Sequence, residues 1–310
     1  MIELKQFKGR IADSLNSLYQ SLDIKFDIKG NEINWKVVSL YNECLNDVEK
    51  EDYESLEKNL KRIIIEKGEI KFEITEFKEI NSDISLIKNS FSIPLNDENS
   101  LGDYDFGPYL GTNIDSVREK IHSAKNILKT CSPNYYYRVS NLIETMIIVG
   151  RNPNGEGIRS GSTIASFGCV INRPEGSGEV LQYIEDLVHE STHHMVFLEQ
   201  HCDHLIKNSN QELFPAPFRQ DQSKRPMSTQ FHSALVLGNV VICMEQIRKA
   251  YDGDPILISG IDEKIEQMSE WFYFCCATIE KYGDLTNRGT EMIREIQENV
   301  RNQFKELTKA

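Results

Sequence analysis

The 310-residue sequence lacks several features that would assign it to a class at once. It has no CxxC pair, and its seven cysteines are scattered and odd in number, which is typical of reduced core thiols rather than of a disulfide framework or a zinc–thiolate site. It has no run of about 18 apolar residues, the length of a membrane span, and no N-terminal segment of the signal-peptide type. Neither Walker nor dinucleotide-binding glycine spacing occurs. We therefore expect a cytoplasmic protein without a membrane partner.

Basic residues are also fewer than acidic residues. Lys and Arg number 35 against 48 Asp and Glu, which gives a formal net charge of −13. A protein that binds the phosphates of a nucleic acid needs a basic surface, so this charge argues against a nucleic-acid partner. The hydrophobic and charged fractions, 39% and 27%, are those of a soluble globular protein, and the length allows one large domain or two modest ones.

Apolar residues recur at helical spacing through most of the chain, which predicts a mainly α fold of the α+β class. Alternating or continuous apolar runs predict short strands at Lys71–Phe77, Thr145–Gly150 and Ser162–Ile171. Residues 78–113 mix Asn, Asp, Ser, Gly and Pro, which predicts a long ordered connection. The predicted helices span residues 1–22, 35–49, 52–66, 114–130, 134–146, 178–206, 228–250, 262–283 and 287–308.

One stretch, Leu187–His194, contains the pattern HExxH. On a helix, His189 and His193 lie on one face about 6 Å apart, so both imidazoles can reach one metal ion. Glu190 stays close enough to act on water or to orient a ligand, and Asp186 can approach the same face as a hydrogen-bond acceptor. Apolar residues precede and follow the motif, and histidine and glutamate are rarely buried without partners. The motif therefore predicts a metal site.

Two imidazoles do not complete a metal site, because zinc or iron needs at least one more protein ligand. A metzincin would have Gly and His where this chain has Val196 and Glu199, so that subclass is excluded. A glutamate ligand of the gluzincin type would have to be Glu212, in a loop, or Glu245, in a later helix. Neither has the neighbours that usually mark such a ligand.

His232 is the preferred third ligand. It lies in the first turns of the apolar helix that follows Arg225-Pro226-Met227-Ser228, and a helix hairpin would return it to the motif. The other histidines are poor candidates. His201 and His204 are too far along the helix, His194 points away from the motif, and His122 belongs to a charged surface helix. We expect a helical domain with a few short strands beside a helix-borne HExxH metal site. Residues 101–310 would form this catalytic domain, and residues 1–100 a mostly helical region of unassigned role.

The motif and the segments after it resemble the HExxH-type peptide β-hydroxylases, also described as HEXXH motif-containing putative peptide modification proteins. That family joins an LVHExxH helix to a loop of the form A-P-W-R-x-D-P-R-P and then to a helix that opens with L-H-G. The similarity covers residues 160–245, with departures at Phe218, Gln222 and Ser233 and two additional loop residues. It rests on three segments: Leu187–His194, Phe214–Asp221 and Arg225–His232.

The resemblance implies an Fe(II)- and 2-oxoglutarate-dependent oxygenase that hydroxylates a side chain of a peptide or protein at the β carbon, as in the biosynthesis of modified ribosomal peptides. Iron would be bound by His189, His193 and His232, with Glu190 beside them. Glu190 could instead be a ligand, since such iron usually has two histidines and one carboxylate. A guanidinium pairs well with the distal carboxylate of 2-oxoglutarate, and the loop offers two candidates for this cosubstrate contact, Arg219 and Arg225.

Two other functions stay open from the sequence. A zinc-dependent metallopeptidase would use Glu190 as general base on a water molecule. An inactive peptide-binding scaffold would keep the helices without turnover. The metal that the protein retains separates these functions, and the sequence does not specify an oligomeric state.

Overall fold

The computed structural model describes residues 2–80, 83–92, 106–111, 113–151, 159–174, 179–216 and 224–305. The chain forms two compact units that do not follow the predicted boundary at residue 100, because the segment 142–173 lies in the first unit. The first unit comprises Met1–Ile93, Asp103–Leu110 and Leu142–Arg173. The second comprises the described residues of Gly111–Asn141 and Pro174–Ala310.

The described chain is mainly α-helical with a few short strands, which confirms the predicted fold class. Most helices begin and end within a few residues of the predicted bounds. An exception begins at Pro255, seven residues before the predicted start, where the Asp254 side chain accepts a hydrogen bond from the Ile256 N–H and caps the helix. The helices are α1 (Ile2–Ser21), α2 (Trp35–Glu49), α3 (Tyr53–Glu66), α4 (Ile84–Ser92), α5 (Ile114–Cys131), α6 (Pro133–Leu142), α7 (Val180–Cys202), α8 (Met227–Ala250), α9 (Pro255–Tyr282) and α10 (Asn287–Lys305).

The first unit contains a sheet in the order β1-β3-β5-β4, with β2 also paired to β3. β3 is central, parallel to β1 and β5 and antiparallel to β2. Met146, Ile147 and Ile148 of β3 are completely buried. A strand that is covered on both faces has a continuous apolar sequence, so β3 could be predicted from its residues. The strands are β1 (Glu73–Glu76), β2 (Phe106–Pro108), β3 (Thr145–Arg151), β4 (Ser160–Ser162) and β5 (Cys169–Asn172).

Two predictions for this unit are wrong. The segment 78–113 is not a plain connection, because it contains α4 and β2. Leu86, Ile87 and Phe91 of α4 are buried, although polar residues flank them in the sequence. The run Ser162–Ile171 is not one strand, because the chain turns between β4 and β5. At the turn Gly168 has a φ of +101°, which favours glycine, and a Cβ there would lie 3.0 Å from the Glu144 carboxylate.

The second unit contains α5 to α10 and a two-stranded ribbon of β6 (Leu213–Pro215) and β7 (Lys224–Pro226). The ribbon leads directly into α8, which packs against α7 and α9. α8 is long and apolar enough to cross a membrane, but 78% of its most apolar window is buried inside the protein, as in the core helix of a soluble protein. Gly238 of α8 lets Ile296 of α10 approach closely, since a Cβ would lie 2.5 Å from that side chain.

Candidate metal centre

The HExxH motif lies within an uninterrupted helix, so the predicted spacing of its side chains applies. α7 extends across the motif and buries the apolar residues that precede and follow it. Near its C-terminal end, Glu199 accepts two hydrogen bonds from Arg288 of α10, at 2.6 and 3.1 Å. This bidentate pair fixes the last turns of α7 within the second unit.

His189 and His193 face each other through their Nε2 atoms, which are 3.1 Å apart. Two nitrogens at this separation, each about 2.1 Å from a common ion, subtend an angle of roughly 95° at the ion, within the range of tetrahedral and octahedral metal sites. The His189 side chain is 35% exposed, so the pair is open to solvent on one side. The chemistry and spacing of these two donors fit a metal ion.

Glu190 lies beside this pair and is almost completely buried, with 1% of its side chain exposed. Its Oε1 atom is 3.9 Å from His189 Nε2, which is too long for a hydrogen bond but short for an interaction between charges. Burial lowers the pKa of His193 to about 4, helped by His189, although Glu190 acts in the opposite direction. His193 is therefore neutral at physiological pH and keeps a lone pair for a metal ion.

His232 of α8 is brought to the motif by the helix return that the sequence predicted. Its Nδ1 lies 3.2 Å from Nδ1 of His193, and its Nε2 lies 3.0 Å from the side-chain nitrogen of Gln200. The His193 and His232 rings stack at 5.4 Å, and burial lowers the pKa of His232 to about 3. His232 thus contacts the ring edge of His193 opposite to Nε2, and its role as a metal ligand stays a prediction.

Among the described residues, no three or more His, Cys, Asp or Glu side chains are arranged so that they could hold a metal ion. The ring contacts suggest the physical reason. His193 directs one nitrogen at His189 and the other at His232, so the three imidazoles form a row instead of converging on one point. In this arrangement the centre offers two facing nitrogens, with a buried carboxylate next to them.

Of the two arginines predicted to bind a cosubstrate, the structure describes one. Arg225 is buried in β7, opposite Phe214 of β6, and its Nη1 donates to the Lys224 carbonyl at 3.1 Å. The Phe214 ring packs against Tyr282 of α9 at 5.5 Å, which holds the ribbon in place. Arg225 is therefore a buried guanidinium just before the helix that carries His232, while Arg219 lies outside the described residues.

Sequence reasoning missed Gln200, which lies on α7 two turns after His193 and contacts His232. Its spacing of seven residues from His193 places it on the same helix face, and this spacing was the available signal. His122 is exposed, as predicted for a residue of a charged surface helix. His194 is completely buried, with its ring 6.0 Å from that of Phe197.

A second group of polar residues holds α7 from behind the motif. Arg138 of α6 donates to Asn239 Oδ1 at 2.7 Å and to Thr192 Oγ1 at 3.3 Å, and Tyr135 also donates to Asn239 Oδ1, at 3.0 Å. Thr192 precedes His193 directly. Within the second unit, α6, α7 and α8 are thus joined by side-chain hydrogen bonds next to the candidate centre.

No protein-family model matches this sequence, and no curated protein is significantly similar to it. The resemblance to peptide β-hydroxylases therefore rests on the motif and loop residues themselves.

Proposed function

We propose that this protein is an Fe(II)- and 2-oxoglutarate-dependent oxygenase that hydroxylates a side chain, at the β carbon, of a peptide or protein substrate in the cytoplasm. The observation that carries the proposal is the pair of facing Nε2 atoms of His189 and His193, 3.1 Å apart on a solvent-open face. The choice of oxygen chemistry is supported by the resemblance of the loop and by the buried position of Arg225.

His189 and His193 would hold the iron through Nε2. Burial lowers the pKa of His193 to about 4 and so keeps this ring neutral and electron-donating. Glu190 is the nearest further carboxylate, and His232 is the further imidazole of the cluster. When bound, iron would activate O₂, the oxidant, with 2-oxoglutarate oxidised to succinate and CO₂ to supply two of the electrons, while the protein would bind and orient the reactants.

Arg225 would bind the distal carboxylate of 2-oxoglutarate. A guanidinium presents a planar pair of donors that matches a carboxylate, and its interaction strengthens where water is excluded. Arg225 supplies such a guanidinium, and water is largely excluded from it because the residue is only 9% exposed. The pairing of β7 with β6 holds its backbone in place. The net charge of −13 favours a neutral or basic peptide over an acidic one as the substrate.

A zinc-dependent peptidase is the second candidate, and the position of Glu190 favours it. A buried carboxylate 3.9 Å from His189 Nε2 could accept a proton from water next to the histidine pair. A scaffold without turnover is the third candidate, since no complete set of three donors is formed among the described residues. The three candidates differ in metal and in product.

The test is to load the purified protein anaerobically with Fe(II), add 2-oxoglutarate, O₂ and a peptide library, and measure succinate. We expect succinate from the wild type, none from His189→Ala, and undiminished formation by His122→Ala, which alters an exposed histidine outside the centre. Zinc retention with peptide cleavage that is lost in Glu190→Gln would overturn the proposal in favour of a peptidase. Absence of bound metal would overturn it in favour of a scaffold.

A further inference from the structure

Four side chains form a continuous row in the second unit. Gln200 contacts His232, His232 contacts His193 and His193 contacts His189, with heavy-atom distances of 3.0, 3.2 and 3.1 Å. Phe197, which is 6% exposed, packs 6.1 Å from the His193 ring and 6.0 Å from the His232 ring. Its ring limits how far either imidazole can turn.

A neutral imidazole has one N–H donor and one nitrogen lone pair. His193 uses both nitrogens in the row, so it must donate at one edge and accept at the other. The nitrogen that carries hydrogen in His193 determines the nitrogen that carries hydrogen in His232. It thereby determines whether Gln200 must present its amide N–H or its carbonyl oxygen to His232. The row therefore has two possible hydrogen-bond directions, and each direction fixes every member of the row.

Only one tautomer of His193 suits a metal site, and metal then replaces the His189–His193 hydrogen bond, because Nε2 of His189 must carry a lone pair as well. For Nε2 of His193 to be a ligand it must carry a lone pair, so the ring hydrogen must be on Nδ1, where it is donated to Nδ1 of His232. His232 then carries its hydrogen on Nε2 and donates it to Gln200, which must present its carbonyl oxygen. In the opposite direction Gln200 donates through its amide nitrogen, and Nε2 of His193 is occupied by hydrogen.

We propose that Gln200 and His232 are positioning residues that stabilise the metal-binding tautomer of His193 once metal is loaded, and that loading reverses the hydrogen bonds between His193, His232 and Gln200. This rests on the proposed metal pair of His189 and His193. A carboxamide suits the end of such a row because it can donate or accept by turning over, whereas a carboxylate can only accept. Hydrogen-bonded neighbours of ligating histidines commonly set their tautomer and basicity in this way.

The first arm of the test uses metal-free protein with ¹⁵N-labelled histidine, in which NMR shows the nitrogen that carries hydrogen. In the wild type, with the Gln200 amide nitrogen directed at His232, we expect hydrogen on Nδ1 of His232. Gln200→Glu should move it to Nε2 of His232 and to Nδ1 of His193. Gln182→Glu, on the same helix but outside the row, should leave both rings as in the wild type.

The second arm loads wild type, Gln200→Met and Gln182→Met with Zn(II) or ¹¹³Cd(II). In the wild type both His193 and His232 should exchange tautomer on loading, and ¹¹³Cd coupling should appear at Nε2 of His189 and His193 but not at His232. Gln200→Met should bind Zn(II) about 10- to 100-fold more weakly, as is common when a hydrogen-bonded neighbour of a ligand is lost. Gln182→Met should bind as the wild type does.

Cadmium coupling to a His232 nitrogen would overturn the proposal, because His232 would then be a ligand. Identical tautomers in metal-free wild type and Gln200→Glu would overturn it as well. A failure of every variant to bind metal would contradict the proposed function alone, since the tautomer comparison in metal-free protein still decides the role of Gln200.

Discussion

The first and second units each contain a cluster of buried polar side chains, and the two clusters are satisfied in different ways. In the first unit, Glu144 accepts hydrogen bonds from Lys8 Nζ and from the Trp35 backbone N–H, both at 2.7 Å. In the second unit, the described hydrogen-bond neighbours of His193 are two other imidazoles, and the Glu190 carboxylate acts to raise its pKa. One cluster pairs opposite charges, and the other keeps lone pairs available.

Burial acts on the two clusters in opposite senses. It raises the pKa of Glu144, while Lys8 and the Trp35 N–H act to lower it. It lowers the pKa values of His193 and His232, with only Glu190 opposing it at His193. Matched charges satisfy the buried groups of the first cluster within the protein, whereas the neutral imidazoles of the second cluster retain nitrogen lone pairs.

The largest effect on stability should come from Glu144→Ala. The substitution leaves Lys8 and the Trp35 N–H without their acceptor in a site where the Glu144 side chain is only 13% exposed. We expect the free energy of unfolding to fall by about 3 kcal/mol, as when one partner of a buried ion pair is removed. Urea unfolding followed by circular dichroism measures it.

The matched control is Lys61→Ala, which removes an exposed pair with Glu57 whose side chains are 66% and 54% exposed. It should cost less than about 0.5 kcal/mol. Equal losses in the two variants would contradict the structural role given to Glu144.

The next largest effect on stability should come from acid, which should destabilise the second cluster. Burial lowers the pKa of His232 to about 3 and of His193 to about 4, from an ordinary value of 6.5. The stabilisation that these neutral rings provide is complete above about pH 6.5 and is lost as pH falls towards 4. Glu144, whose pKa is raised, contributes in the opposite sense, since its protonation in acid favours the folded state.

Hydrogen exchange of metal-free protein between pH 7 and 4.5, corrected for intrinsic rates, measures this difference. Protection of α7 and α8 should fall faster than that of β3. Equal pH slopes for the two sets of amides would show that the imidazoles are not held neutral by burial.

Arg225→Lys should have a moderate effect on cosubstrate binding. Replacing a planar pair of donors with a point charge should raise the KM for 2-oxoglutarate about tenfold, with a smaller change in kcat. Lys224→Arg changes the exposed neighbour and should leave KM unaltered. An unchanged KM in Arg225→Lys would assign the cosubstrate contact elsewhere.

A smaller effect on stability than that of Glu144→Ala should come from His193→Phe. The ring is half-buried and already packs against Phe197 and His232, so an aromatic ring of similar shape can take its place. We expect the free energy of unfolding to fall by about 1 kcal/mol, the typical cost of losing a hydrogen bond such as that between His193 and His232. A loss as large as that of Glu144→Ala would mean that both clusters are structural.

The features that were predictable from sequence are those fixed by local spacing. α1 and α2 follow a helical period of apolar residues, α8 follows from its length and apolar composition, and β3 follows from its unbroken apolar run. The turn at Gly168 was missed because its constraint comes from Glu144, which is distant in the sequence. α4 was missed because its few apolar residues are separated by polar ones.

At the candidate centre the same limit applies to side chains. The HExxH spacing predicts that His189 and His193 face one another, and the helix hairpin predicts that His232 returns to them. Which edge of His193 meets His232 depends on ring rotation, which sequence spacing does not encode. Gln200 was overlooked because a polar residue near a helix end is usually solvated.

Equilibrium titration of metal-free protein with Zn(II), and anaerobically with Fe(II), against a competing chelator tests the metal site of His189 and His193 most directly. We expect the wild type to bind a single ion and His193→Phe, although folded, to bind it at least about a hundredfold more weakly, because one of the two facing nitrogens is lost. A wild type that binds neither ion, or a folded His193→Phe that binds as tightly as the wild type, would show that the two histidines do not form a metal site.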